Sequence, residues 1–276
     1  MLRSGRIVYT NDLPIYTAFD EGAVRYPGPL VADVPSSLGA MLLDGRLDLG
    51  PISAFHWAAH PDELALLSDL CIGARREVWS VVCVSRRPLD ELGGAEIAVT
   101  TESASGRNLL RVLLERRYGV RARYVPSDDP LGAARDGMPA LLIGDRAIDA
   151  KLGFPAEHVH DLGLAWHAWT GLDFVFAVWA VRRDVFSMHA AEVAVAHDAL
   201  LRSARWGQAH LERVVAAAQR THPRPPGFYA AYYETLNFAF DGPARAGLER
   251  FVAELAALGA IPSAPAVIPE ELIVAR

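Results

Sequence analysis

The pattern of apolar and polar positions centres on two apolar runs. The longer run, residues 170–181, opens with a Thr-Gly turn, and nine of its last ten residues are apolar. It is rich in β-branched and aromatic residues and too short to span a membrane, so it predicts a strand that is buried on both faces. An earlier run, residues 78–84, has the same character.

Strand and helix patterns alternate in a self-contained segment between these two runs. Two such strands would form the crossings between two lobes of an α/β protein. We therefore expect residues 85–174 to form an inserted lobe, and residues 1–84 and 175–276 to form the other lobe together. A ligand cleft would lie between the two lobes.

The first strand, residues 5–9, runs into a polar turn and then into a helical pattern over residues 15–19. Open α/β sheets place ligand contacts where a strand ends before a helix, so Asn11 is a candidate cleft residue. Alternatively, Asn11 or Asp12 only caps the helix. The pattern leaves both interpretations open.

Residues 30–52 read as strand, helix and strand, and the helix begins near Ser36 and Ser37. A serine hydroxyl beside the free N–H groups of a helix N-terminus suits a carboxylate, although helix capping alone also explains these serines.

The turn at residues 101–106 joins a strand, residues 96–100, to a helix, residues 107–118. It presents the hydroxyls of Thr101, Ser103 and Ser105 at a helix N-terminus, which is an anion-binding arrangement. Capping alone remains the alternative. Asp145 similarly closes a strand and opens a helix, so it is either a cap, a polar group facing the cleft, or both.

Composition excludes several classes of protein. The chain has 276 residues, 51% of them hydrophobic, and a net charge of −6. Basic residues are scattered, so we expect no nucleic-acid partner. No apolar segment is long enough for a membrane helix, and the N-terminus lacks an export signal, so we expect a cytoplasmic protein without a membrane partner. The sequence leaves the oligomeric state open.

The sequence gives little indication of a metal site or a redox site. His56 and His60 are four residues apart, a spacing that could bind a metal on a helix, but no third ligand is evident. We predict no metal site and no cofactor. Cys71 and Cys83 stand in apolar surroundings and are predicted to be reduced core residues.

Several segments, taken in order, resemble the MqnA-type chorismate dehydratases of menaquinone biosynthesis. They are residues 9–14 (YTNDLP), 45–50 (GRLDLG), 78–81 (VWSV), 101–105 (TESAS), 142–145 (LIGD), 161–163 (DLG) and 170–179 (TGLDFVFAVW). The resemblance implies a two-lobed fold like the type II periplasmic binding proteins, with two hinge crossings. It also implies removal of water from chorismate, giving 3-[(1-carboxyvinyl)oxy]benzoate on the futalosine route.

The same resemblance assigns roles by position. Asn11 would contact the reacting ring or its hydroxyl, with Ser80 beside it and Asp145 completing the wall of the cleft. The implied substrate-binding residues are Ser37, Ser103, Ser105, Gly106, Gly144, Thr170, Phe174 and Phe176. Because side chains alternate along a strand, only one face of the strand that carries Phe174 and Phe176 can contact the ring.

This chain departs from the family pattern after Ser103, where members commonly have Arg-Thr-Ser and this chain has Ala104, Ser105 and Gly106. The change removes a charged carboxylate partner but leaves binding by backbone N–H groups. No His, Lys or Glu in the motifs is an evident general base. The base would be either Asp145 or a carboxylate of the substrate itself.

Two other functions fit the same fold. One is a non-catalytic binding protein for small anions, since a fold does not determine a function. The other is the sister enzyme that makes dihydroxynaphthoate, which would need a catalytic base, often a histidine, that the motifs do not provide.

Overall fold

The structure, a computed structural model, describes residues 1–269, so residues 270–276 of the predicted chain-end lobe lie outside it. The strands in this range are β1 Ser4–Ile7, β2 Leu30–Asp33, β3 Leu49–Ser53, β4 Leu64–Ala74, β5 Val81–Val84, β6 Glu96–Thr100, β7 Arg123–Ser127, β8 Ala140–Ile143, β9 Val159–Asp161, β10 Phe174–Arg182 and β11 Leu236–Phe240. The α-helices are α1 Leu13–Asp20, α2 Pro35–Leu43, α3 Ala54–Ala59, α4 Ala104–Val112, α5 Pro130–Arg135, α6 Gly144–Gly153, α7 Leu162–Thr170, α8 Arg183–Met188, α9 Ala190–Ala209, α10 Leu211–Thr221, α11 Phe228–Thr235 and α12 Gly242–Ala257.

The strands form two sheets. The first has the spatial order β11-β4-β10-β3-β1-β2, and the second has the order β7-β6-β8-β5-β9. In the first sheet β1 lies parallel to β2 and β3, whereas β10 lies antiparallel to β3 and β4. Both chain ends contribute to the first sheet, and the segment between them builds the second. The alternation of strands and helices therefore predicted the α/β class correctly.

The apolar run at residues 170–181 forms β10, which is buried along most of its length between β3 and β4. The run at residues 78–84 behaves differently. Only Val81–Val84 is a strand, and it pairs with β8 and β9 in the second sheet. The predicted boundary at residue 84 is therefore wrong for this strand, because its hydrogen-bond partners lie in the inserted segment.

The sheets are joined at residues 75–80 and 171–173, between β4 and β5 and before β10. Trp79 adopts a positive φ of 61° in the first of these crossings, and its N–H donates to the Asp161 carboxylate at 2.7 Å. Its ring stacks on Tyr232, and the Lys151 ammonium lies 4.7 Å from the ring centroid. The first crossing is thus held by groups from both sides.

The core contains the sheet-facing residues of both lobes, and Cys71 and Cys83 are buried in it as free thiols, as predicted. The chain over residues 190–221 forms two helices, α9 and α10. The chain breaks at His210, whose ring stacks on Trp206 and bonds to its carbonyl oxygen. None of the helices within residues 1–269 combines the length and apolar character needed to cross a bilayer.

Candidate active site

A cavity of about 40 Å³ lies between the two sheets, and both sides contribute to its wall. The first side contributes Ile7, Tyr9, Asn11, Pro35, Ser53, Ile72, Phe176 and Ala177. The crossing and the second side contribute Ser80, Val81, Ser103, Ile143 and Gly144. An apolar wall with a few convergent polar groups is typical of a small-molecule site.

Asn11 lies in a short 3₁₀ turn, Thr10–Asp12, between β1 and α1. Its side-chain oxygen Oδ1 is buried and has no hydrogen-bond partner in the structure. Asp12 instead accepts a hydrogen bond from the Ile7 N–H at 2.7 Å, and neither residue's side chain caps α1. The capping interpretation is therefore wrong here, and Asn11 faces the cavity with an unused acceptor.

Two serines add hydroxyl groups to the wall. Ser80 is buried, and its Oγ lies 3.3 Å from the Val78 carbonyl oxygen. Ser103 is the N-cap of α4, and its Oγ accepts a hydrogen bond from the Gly106 N–H at 3.0 Å. Ser103 thus caps the helix and also lines the cavity, and its binding of an anion stays a prediction.

Ser105 and Gly106 lie behind the wall of the cavity. The Ser105 hydroxyl is 2.8 Å from the Ser53 hydroxyl, and its oxygen accepts a hydrogen bond from the Phe55 N–H at 3.1 Å. The Gly106 N–H is used by Ser103. In this arrangement Ser105 joins the two sides of the cleft, and direct binding of a carboxylate by Ser105 or Gly106 stays a prediction.

Asp145 lies in the first turn of α6 but does not cap it, because Ile143 is the N-cap residue. Its carboxylate reaches across the cleft and accepts two hydrogen bonds from Thr10. The Thr10 hydroxyl donates at 2.6 Å and the Thr10 N–H at 3.2 Å. Asp145 is outside the cavity wall, so the prediction that it completes this wall is not supported.

Gly144 packs against Tyr9 on the opposite side of the cleft. Gly144 has a φ of 58°, and a Cβ added to it would lie 2.8 Å from the Tyr9 ring. The Tyr9 hydroxyl donates to the Glu102 carboxylate at 2.7 Å, and burial together with Glu102 raises the pKa of this tyrosine. The absence of a side chain at Gly144 therefore permits the close approach of the two sides.

Three predicted substrate-binding residues lie away from the cavity. Ser37 donates its hydroxyl to Asp33 at 2.7 Å. The Thr170 hydroxyl donates a hydrogen bond to the Trp166 carbonyl oxygen, one turn earlier in α7, at 2.9 Å. Phe174 is buried in the core, 4.8 Å from Phe251 between ring centroids. Local hydrogen bonds and core packing hold these three side chains, so the cavity gives no support to their predicted role in substrate binding, which stays untested.

Phe176 does reach the cavity wall, as predicted, although Phe174 stands two residues before it. Strict alternation would place both rings on one face. The two ring centroids are 4.5 Å apart, so both rings do lie on one face of β10. Phe174 packs inward against Trp166 and Phe251, and only Phe176 reaches the cavity.

Sequence reasoning missed Tyr9 and Ser53 as wall residues. Tyr9 begins the 9–14 motif, and Ser53 is the last residue of the buried strand β3. Ser53 could have been predicted from its position at the end of a strand, where open α/β sheets place ligand contacts. His56 lies within α3 and His60 directly follows this helix. They do not act together, because the His60 Nδ1 contacts Glu63 at 2.8 Å.

Burial raises the pKa of Asp12, next to Asn11, to about 8, against an ordinary value of 3.8; the nearby Arg6 opposes this shift. As pH rises from about 4 to about 8, the unfolded chain ionises at this position while the folded chain stays protonated. The stability that the protonated Asp12 carboxyl provides is therefore lost progressively across this window.

Asn resembles the protonated form of Asp. We therefore predict that the melting temperature of Asp12→Asn minus that of the natural protein increases as pH rises from 5 to 8. Thermal unfolding measured at several pH values on both proteins tests this. A difference in melting temperature that stays constant over the whole range would contradict the prediction.

Comparison with solved structures shows the fold of this protein. The periplasmic aliphatic sulphonate binding protein SsuA from Escherichia coli superposes with a TM-score of 0.68 at 16% identity, covering 100% of this chain and 94% of that one. A ligand-binding component of an ABC-type import system from Staphylococcus aureus superposes with a TM-score of 0.67 at 11% identity, covering 99% of each chain. With its interlobe cleft, the protein has the two-lobed periplasmic-binding-protein fold, which confirms the predicted fold class.

Sequence comparison then gives the family. The family model described as menaquinone biosynthesis matches residues 2–257. A chorismate dehydratase from Thermus thermophilus is 34% identical over 254 aligned residues, and the match covers 86% of this chain and 89% of that protein. The chain therefore belongs to the menaquinone biosynthesis family, and the resemblance predicted from the motifs is confirmed.

Proposed function

We propose that this protein is a chorismate dehydratase, a hydro-lyase that converts chorismate to 3-[(1-carboxyvinyl)oxy]benzoate on the futalosine route to menaquinone. The relative with this activity in its name covers most of the chain. The observation that carries the proposal within the site is the unpartnered Oδ1 of Asn11, buried at the cavity between the lobes.

The reaction removes a proton from C3 of the ring and the hydroxyl from C4. The electron pair of the C3–H bond becomes a ring π bond, the C4–O bond breaks, and the hydroxide leaves with a proton as water. Because the ring becomes aromatic, the product is strongly favoured. Chorismate can also rearrange or lose pyruvate, so the enzyme must hold one conformation of the enolpyruvyl ether.

The polar groups of the cavity suit this task. Asn11 and Ser80 would contact the C4 hydroxyl and its surroundings, and Phe176 would give the ring an apolar neighbour. Ser103 would bind a carboxylate beside the N-terminus of α4, where the first N–H groups of a helix attract anions.

The cavity of about 40 Å³ is far smaller than the roughly 300–1,000 Å³ of ordinary small-molecule sites. The structure thus represents a closed arrangement, with Tyr9 bonded to Glu102 and Ser53 to Ser105 across the cleft. Chorismate would enter when the lobes separate at the crossings, and closure would exclude water from the reaction.

Of the two candidate bases, a carboxylate of the substrate is favoured over Asp145. Both Asp145 oxygens accept hydrogen bonds from Thr10, and the residue stands outside the cavity wall. We propose that the enzyme positions a substrate carboxylate to take the C3 proton. The alternative dihydroxynaphthoate synthase is disfavoured, since none of the described residues lining the cavity is a histidine.

The first test is incubation of the purified protein with chorismate, following loss of the diene absorbance and identifying the product by mass. We expect an aromatic product that is lighter by one water and retains the enolpyruvyl ether. Unchanged chorismate that nevertheless raises the melting temperature of the protein would instead support a non-catalytic binding protein.

A further inference from the structure

All the backbone and side-chain polar groups of Thr10 are held by partners from distant parts of the chain. The Asp145 carboxylate accepts hydrogen bonds from the N–H and the hydroxyl of Thr10. The Tyr233 hydroxyl donates to the Thr10 carbonyl oxygen at 3.0 Å. Thr10 and Asp145 are 135 residues apart in sequence, and both are at least nine-tenths buried. Thr10 follows β1 of the first sheet, whereas Asp145 follows β8 of the second.

The residue after Thr10 is Asn11, whose Oδ1 has no partner within the protein. The direction of the Asn11 side chain toward the cavity therefore depends on the backbone of the turn, and Asp145 binds that backbone from the opposite lobe. We infer that Asp145 is a positioning residue: when the lobes close, its carboxylate locks the Thr10 turn and so aims Asn11 at the substrate. This inference rests on the role of Asn11 in the proposed function.

A carboxylate suits this task better than an amide of the same shape. It offers two acceptor oxygens to the two donors of Thr10, whereas an amide offers one oxygen and a donor that would face a second donor. Two basic side chains that follow α10, His222 and Arg224, do not satisfy Asp145 instead. His222 Nε2 is 3.7 Å from Oδ2, beyond hydrogen-bond distance, and Arg224 pairs with Asp149 one turn further along α6.

The test measures kcat and KM for Asp145→Asn, Thr10→Val and Thr10→Ser. We expect the first two to lower kcat about tenfold, the loss of one hydrogen bond to a charged group, with a smaller change in KM. Thr10→Ser keeps the hydroxyl and should retain most of the activity. Asp149→Asn is the matched control: it removes a negative charge and a cross-cleft ion pair from the same helix, and it should change kcat less than twofold.

A second set of variants separates positioning from general destabilisation. If Asp145 acts through Asn11, Asp145→Asn should lower kcat little further when introduced into Asn11→Ala. An equal loss in both backgrounds, or natural kcat in Asp145→Asn, would overturn the inference.

A measurement without substrate decides the contact independently of the proposed function. The Thr10 amide should exchange its hydrogen with solvent at least about tenfold faster in Asp145→Asn than in the natural protein, since its acceptor is weakened. Unchanged exchange would overturn the inference. A natural protein that does not convert chorismate would instead contradict the proposed function, while the exchange measurement still decides whether Asp145 locks the turn.

Discussion

Replacing Asn11 with alanine is expected to lower kcat for chorismate dehydration by about 100- to 1,000-fold, the usual effect of removing one preorganised polar group from a reacting centre. The physical reason is that Asn11 brings an amide to the cavity whose oxygen Oδ1 is buried and has no partner among the described residues. The other polar side-chain groups that line the cavity are hydroxyls, so none of the described residues in its wall offers a second side-chain amide to replace Asn11. Steady-state kinetics with chorismate measures the effect.

The Asn11→Asp variant refines this test. It keeps the size and one oxygen of the side chain but loses the amide donor, so a loss of kcat similar to that of Asn11→Ala would identify donation to the leaving hydroxyl as the main contribution. Melting temperatures of both variants control for folding. Full turnover by Asn11→Ala would show that the proposed role of Asn11 is wrong.

The second large effect is expected for Gly144→Ala. The added methyl would lie 2.8 Å from the Tyr9 ring, and the φ of 58° is unfavourable for alanine by about 1–2 kcal/mol. Because Tyr9 lines the cavity and bonds to Glu102 across the cleft, its displacement should prevent full closure. Misplacement of a substrate-positioning group by 1 Å can cost about 100-fold in rate, and we expect a loss of kcat/KM of that order.

The control for this variant lies in the same helix. A Cβ added at Gly153 would meet no atom within 4 Å, so Gly153→Ala should leave kcat/KM unchanged. Kinetics and thermal unfolding of the two alanine variants form the comparison. If Gly144→Ala loses only stability and keeps its kcat/KM, the close approach to Tyr9 is not needed for activity.

Local patterns predicted much of the fold, because buried strands are recognisable in the sequence as runs of apolar residues. The apolar run that forms β10 was identified as a doubly buried strand, and it lies at the middle of the first sheet. The similar run that contains β5 was assigned to the wrong side of the cleft. Its composition shows burial, but its membership of a sheet depends on pairing with β8 and β9, which are distant in sequence.

The site was predictable where a polar residue ends a strand before a helix. That rule placed Asn11 and Ser103 at the cavity correctly. Thr170 and Phe174 were assigned by the resemblance alone, and in the structure the Thr170 hydroxyl is used within its own turn and the Phe174 ring packs in the core. The partners of Asp145 could not be predicted at all, because they depend on how closely two separate sheets approach.

The contact between Lys151 and Trp79 has a practical consequence. Lys151 is the only lysine in the chain, and its amine lies 4.7 Å from the ring of Trp79 at the first crossing. That ring stacks on Tyr232 of the first lobe, whereas Lys151 belongs to a helix of the second. A dye coupled to this single side-chain amine would sit beside an indole that quenches fluorescence, so the natural sequence already contains an optical reporter of lobe opening.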